Sequence, residues 1–183
     1  MKIISIFTNN SIFIELQHKT LKKFLVGCDY EYIIFNDGKD FPDITNFGNI
    51  EEGRSSIIRK CSELNIKCIN IQNAHHINVT TNASSRHGES LRIVLQYMIN
   101  NPDEYLILDS DMFLIDYLNL DVYRKYICAC VIQERPNLVY FWPNLFYLDM
   151  TRAPNIDKLD LGLIPGGDTG SASNKWLKSF TYN

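Results

Sequence analysis

Apolar residues fall along this chain in two alternating rhythms: short unbroken runs, and longer stretches at helical spacing. Residues 2–8 contain Ile3-Ile4-Ser5-Ile6-Phe7 and read as a first strand. Asn10 or Ser11 then caps a helix to residue 26, with Ile14, Leu21 and Leu25 on its apolar stripe. Residues 31–35 give a second strand, closed by the turn signal Asn36-Asp37-Gly38. A second helix over 50–64 repeats Ile57, Ile58, Cys61 and Leu64, and a third strand follows at 66–71. The polar segment 72–84 lacks a period and reads as a loop. Ser85 caps a third helix over 87–99, with Leu91, Val94, Leu95 and Met98 inward, and Asn100-Asn101-Pro102 stops it.

The fourth strand, residues 105–108, is apolar throughout and ends abruptly in Asp109-Ser110-Asp111. An unbroken apolar run bounded by charge predicts a strand buried on both faces. Two carboxylates at its C-terminal end are costly to bury unless a cation or hydrogen bonds meet them. That strand end is also where open α/β sheets bind ligands. Beyond it the alternation changes: 127–133 and 138–148 read as strands with no full helix between them, followed by a loop rich in Pro and Gly at 152–167 and a helix over 170–179. The fold class is therefore α/β: a Rossmann-like, mostly parallel sheet flanked by helices, with a smaller antiparallel or mixed addition in the C-terminal part.

Composition narrows the reading. A chain of 183 residues suits one domain, 1–183, with 1–111 and 112–183 as its two functional parts. Hydrophobic residues at 45% and charged residues at 21% are ordinary for a globular protein, and a net charge of -3 argues against nucleic acid as a partner. No apolar run has the roughly 20 residues of a transmembrane segment. Residues 3–7 are too short for a signal-peptide core. The five cysteines, Cys28, Cys61, Cys68, Cys128 and Cys130, are odd in number and lack a repeated Cys-x-x-Cys spacing. They read as reduced thiols in a cytoplasmic compartment, with Cys128 and Cys130 on one face of a strand.

In order along the chain, Thr8-Asn9 after the first strand, Phe35-Asn36-Asp37-Gly38, Ser85-Arg86-His87-Gly88, Leu108-Asp109-Ser110-Asp111 and Gly166-Gly167-Asp168-Thr169-Gly170 form a pattern. It resembles the GT-A type of nucleotide-sugar-dependent glycosyltransferases, in particular compact viral and bacterial ones. The resemblance implies transfer of a sugar from a nucleoside-diphosphate sugar, with UDP favoured, to a hydroxyl of a glycan or glycoprotein acceptor. It implies Mn²⁺ or Mg²⁺ as cofactor, with Asp111 in direct metal contact and Asp109 on the ribose or the metal's outer shell, beside Ser110. Thr8, Asn36 and Asp37 would contact base and ribose, and Arg86 and His87 the diphosphate at a helix N-terminus. Asp168 is the first choice for the base that deprotonates the acceptor, and Asp149 the second. Many members add a downstream His ligand, whereas no His follows His87 here. Either the metal manages without it, or the chain is a module of a larger polypeptide.

Other features read more simply. His75-His76 lie on an extended loop, where neighbouring side chains diverge, which disfavours a joint ligand role. Tyr140, Phe141, Trp142 and Phe146 read as core rather than as an acceptor platform. A haloacid-dehalogenase-type phosphatase would place its Asp-x-Asp near the N-terminus, ahead of a Gly-Thr or Gly-Val pair, and a nucleotidyltransferase needs a Gly-rich first loop; the chain has neither. A non-catalytic nucleotide-sugar or carbohydrate-binding module remains the alternative from a different class.

Overall fold

The computed structural model describes residues 1–8, 10–39, 53–77 and 82–180. Its elements are β1 (Lys2–Phe7), α1 (Ile12–Phe24), β2 (Leu25–Val26), β3 (Glu31–Asn36), α2 (Gly53–Glu63), β4 (Lys67–Asn70), α3 (Ala83–Asn100), β5 (Glu104–Leu108), β6 (Leu118–Asn119), β7 (Cys128–Arg135), β8 (Leu138–Asp149) and α4 (Asn174–Leu177). Six strands form one sheet in the order β4-β3-β1-β5-β8-β7. The first four run parallel, and β8 and β7 are added antiparallel. The alternation of strand and helix, then of strand and strand, is thus realised as expected.

Because side chains alternate across a strand, each central strand feeds two cores. Ile4 and Ile6 of β1, Ile33 and Phe35 of β3 and Ile107 of β5 pack with Leu91, Val94, Leu95 and Met98 of α3 and with Trp176. On the opposite face, Ile3, Phe7, Ile34, Leu106 and Leu108 pack with Ile14 and Leu21 of α1 and with Ile57 and Cys61 of α2. Tyr140, Phe141 and Phe146 are buried, and Trp142 is half-buried. All five cysteines are free.

Three boundaries differ from the sequence reading, each for a local reason. The first helix stops at Phe24 because Leu25 turns to an extended conformation and pairs with Leu118. The third begins at Ala83, capped by Asn82, whose Oδ1 accepts the Ser85 N–H at 2.8 Å. The last helix shrinks to the four residues of α4, behind a 3₁₀ turn at Ser171–Ser173. There the polar side chains serve other segments: Ser171 accepts from Ile164 N–H, Ser173 from Phe141 N–H, and Asn174 donates to the Val139 carbonyl. Such side-chain to backbone bonds compete with helix. Residues 50–52 of the expected second helix lie outside the described residues.

Gln17 of α1 is wholly buried. Its Oε1 accepts from the hydroxyls of Ser5 in β1 and Tyr32 in β3. Its Nε2 donates to the carbonyls of Asp109 at 2.8 Å and Met112 at 2.7 Å. One amide therefore satisfies two strands and the turn that follows β5. Leaving these groups unpaired is costly, so Gln17→Leu should lower unfolding stability by roughly 3 kcal/mol. Gln17→Glu, which keeps the acceptor but loses both donors, should fall between the two. Chemical denaturation checks this, and a Leu variant within about 0.5 kcal/mol of wild type would contradict it.

Candidate functional site

After β1 the chain moves to β3 and β4 on one side, whereas β5 pairs on the other. The switch in strand order lies between β1 and β5, and a crevice opens at the carboxyl ends of such strands. Two adjoining chambers occupy that position. One, of about 240 Å³, is lined by Ile6, Thr8, Asp37, His76, Ala83, Arg86, His87, Ser90, Asp109 and Ser110. The other, of about 260 Å³, is bounded by Ser84, Gln133, Trp142, Pro143, Asn144, Asp168 and Thr169. Ala83, His87 and Asp109 belong to both walls.

The acidic turn is held from behind. Asp109 N–H bonds the Asn144 carbonyl, Met112 N–H closes a turn onto the Asp109 carbonyl, and Ser110 N–H bonds Asp109 Oδ1 at 2.9 Å. Gln17 secures the two carbonyls. The β7–β8 register shifts after Cys130, whose partner is Phe146, to Val131, whose partner is Trp142. The extra β8 residues form a bulge against β7 that contains Pro143 and Asn144, and the β5–β8 register, which runs to Leu108 and Leu145, sets Asn144 beside Asp109. Bulges of this kind re-aim side chains next to sites. Asp109 is half-buried and Asp111 exposed, and among the described residues neither pairs with Lys or Arg. An all-oxygen carboxylate set with room for water is of the kind that a hard divalent cation takes.

Asp37 sits deeper. Its Oδ2 lies 2.7 Å from Ser90 Oγ, 2.8 Å from His76 Nε2, 3.2 Å from His75 Nε2 and 3.5 Å from Thr8 Oγ1. Burial pushes its carboxyl up, but the bonds from His75, His76 and Ser90 outweigh this and bring it down to about 2. The expectation that His75 and His76 diverge is therefore corrected. They occupy a 3₁₀ turn, Ala74–His76, not an extended loop, and both rings converge on Asp37. Together the three form a candidate metal-binding group. Gly38, next along the chain, lets the start of α2 approach, since a Cβ there would lie 2.7 Å from the Arg54 backbone.

The revised start of α3 puts Arg86 and His87 inside the first turns rather than ahead of them. Asp168 faces that start across the second chamber: Thr169 N–H bonds its Oδ1 at 2.8 Å, and Thr169 Oγ1 reaches the Ser84 carbonyl. The Ser84 hydroxyl and the Thr169 N–H hold the Asp168 carboxyl below its usual value.

Thr8, Asp37, Arg86, His87, Asp109, Ser110 and Asp168 are thus gathered in one cleft. Three other residues are not. Asn36 is buried and donates to the Arg54 carbonyl and to Asn70, while accepting from Gly38 N–H, so its amide is used in holding β3, β4 and α2 together. Asp111 lies beyond the residues that line the chambers. Asp149 stands at the far end of β8, paired with Glu104 at the opposite end of β5. There it binds Thr151 and Arg152, and Arg152 also donates to the Arg124 and Tyr126 carbonyls. The second choice for a base is therefore corrected: β8 runs antiparallel, which carries its last residue away from the cleft. Ser90, Gln133 and Asn144 are wall residues that the sequence reading missed. Ser90 was legible as a polar residue beside the apolar stripe of α3; the other two depend on the bulge.

No protein-family model and no curated protein sequence matches this chain. Solved structures do, 98 chains of them. One match is a crystal structure of an active-site mutant of LgtC, a GT-A glycosyltransferase. It is 14% identical, the match covers 87% of this chain and 61% of that one, and the TM-score is 0.52. The likeness is one of fold: an α/β, mostly parallel sheet of GT-A type with antiparallel strands in the C-terminal part. This chain spans less than two thirds of that chain's length. Among the described residues no helix is long and apolar enough to cross a membrane.

The placement of Asp149 yields a pH prediction. Burial raises its carboxyl, but the bonds from Thr151 and Arg152 prevail and hold it below the ordinary value. A carboxyl lowered by folding stabilises the fold above its unfolded pKa of about 4, and that contribution fades as pH falls through the folded value. Asp149→Asn should therefore lower the melting temperature most near neutral pH, with the gap to wild type closing toward about pH 3. Thermal melts across pH check this, and a gap that widens in acid would contradict it.

Proposed function

We propose that the chain is a metal-dependent glycosyltransferase that moves a sugar from a nucleoside-diphosphate sugar, preferably UDP-linked, to a hydroxyl of a glycan acceptor. The observation that carries this reading is the convergence of three parallel strand ends, at Thr8, Asp37 and Asp109, with the first turns of α3 on one cleft at the sheet's switch point. The fold likeness to LgtC supports it.

In this reading the nucleoside fills the chamber of Thr8, Asp37 and Ser90, and the diphosphate lies between Asp109 and the head of α3. The N–H groups of Ala83 and Ser84, the positive end of the helix dipole and Arg86 favour an anion there. Carboxylates alone would repel the diphosphate. Asp109 and Asp111 would hold a Mg²⁺ or Mn²⁺ ion, which when bound supplies positive charge to the diphosphate as its bond to the sugar breaks. The acceptor enters the chamber of Gln133, Trp142 and Asp168. Its hydroxyl gives a proton to Asp168 as its oxygen bonds the anomeric carbon, and the nucleoside diphosphate leaves with that carbon's former bonding pair.

The hydrogen bonds that the Asp168 carboxylate accepts, from the Thr169 N–H and the Ser84 hydroxyl, lower its carboxyl and so weaken it as a base. That single observation favours a second reading, a binding module that holds a nucleotide sugar without transferring it. Thermal-shift titration with UDP or GDP plus Mn²⁺ should raise the melting temperature of the wild type, and Asp111→Ala should abolish the metal-dependent part. Asp168→Asn should keep that shift and lose at least about tenfold in sugar transfer, measured on a panel of nucleotide sugars. No metal-dependent stabilisation by any nucleoside diphosphate would overturn the main reading. Binding without transfer in the wild type would select the second.

A further inference from the structure

Asp37, His75 and His76 are the one group of three or more metal-capable side chains found close together among the described residues, with all ligand atoms within 4.8 Å of one another. The side chains of all three are nearly inaccessible, at 2%, 12% and 6%. Both rings present the same nitrogen, Nε2, to one carboxylate. The carboxylate is used unevenly. Oδ2 is crowded by Ser90, His76, His75 and Thr8, whereas the buried Oδ1 has no hydrogen-bond partner, although His75 Nε2 lies 3.0 Å from it. A crowded oxygen beside an orphaned one is a poor resting arrangement for a hydrogen-bonded triad.

An ion among the three resolves the imbalance. Tetrahedral coordination with bonds of roughly 2.0–2.2 Å sets ligand atoms roughly 3.4 Å apart, against 3.0 Å from His75 Nε2 to Oδ1 and an upper bound of 4.8 Å across the group. Oδ1 and the two Nε2 atoms then ligate, and Oδ2 is left to the hydroxyls of Ser90 and Thr8, the outer-shell pattern that orients a ligating carboxylate. Two imidazoles and one carboxylate select zinc or a neighbouring first-row ion, not the magnesium or calcium that all-oxygen sets prefer. We therefore propose that Asp37, His75 and His76 form a zinc-class site separate from the Asp109–Asp111 carboxylates. Its ion joins the end of β3 to the 74–76 turn and to α3 through Ser90, and so fixes one wall of the nucleoside chamber.

The test uses the tag-free full chain and does not depend on transfer activity. After zinc loading and dialysis, elemental analysis should find about one zinc per chain. The Asp109→Ala/Asp111→Ala double variant should retain it, and the His75→Gln/His76→Gln variant should fall to background. Zinc should raise the melting temperature of the first two proteins but not of the third. Because the histidine variant also removes two hydrogen bonds to buried Asp37, a second measurement uses wild type alone. Cobalt loading should give the intense visible bands of four-coordinate cobalt, bleached by zinc and unaffected by excess magnesium. Wild-type protein without zinc above background, zinc lost with Asp109 and Asp111 instead, or cobalt bands displaced by magnesium would each overturn the proposal. A chain that binds zinc but no nucleotide would leave this site standing and sink only the transferase reading.

Discussion

The side-chain amide of Gln17 lies between β1, β3 and the turn after β5, and every polar atom it has is spent there. Asp109 begins that turn, where its own carbonyl accepts only the Met112 N–H from within the segment. The Gln17 amide adds a donor to both the Asp109 and Met112 carbonyls from a helix more than ninety residues earlier in the chain. The Asn144 carbonyl, within the bulge of β8, secures the Asp109 N–H from the other side. The acidic turn is therefore fixed by two segments remote in sequence. Its carboxylates project from a backbone that has little freedom to adapt.

That rigidity sets an electrostatic condition. Asp37, Asp109 and Asp168 all border one cleft, and an anionic ligand enters it only where positive charge offsets them. Arg86 and the head of α3 supply some. The rest is the role assigned to cations, a hard one on oxygens at Asp109 and Asp111 and a softer one on nitrogen and oxygen at Asp37, His75 and His76. The cleft thus separates its ligand chemistry by depth. Half-buried Asp109 and exposed Asp111 would suit an ion that comes and goes with a nucleotide, and the buried mixed set one that stays.

Much of this was legible before any coordinates. The unbroken apolar run ahead of Asp109, the alternation of strand and helix and the order of polar strand ends were enough for the fold class and for most residues of the cleft. What escaped depends on geometry that periodicity does not encode. His75-His76 looked divergent because a polar loop was taken as extended, and one 3₁₀ turn reversed that. Asp149 stands as a second candidate behind Asp168 in the sequence, but the antiparallel direction of β8 carries it to the opposite end of β5. Asn36 looked like a nucleotide contact because it ends a strand, yet its amide is consumed by Arg54, Asn70 and Gly38. Gln17 gave no signal at all, since a glutamine on an amphipathic helix normally marks its wet side.

A crystal structure of the chain with UDP and Mn²⁺ tests the central claim most directly. The account predicts the diphosphate between Asp109 and the first turn of α3, with the uridine in the chamber bounded by Thr8, Asp37 and Ser90. Nucleotide bound elsewhere on the sheet, or manganese held away from Asp109 and Asp111, would contradict it.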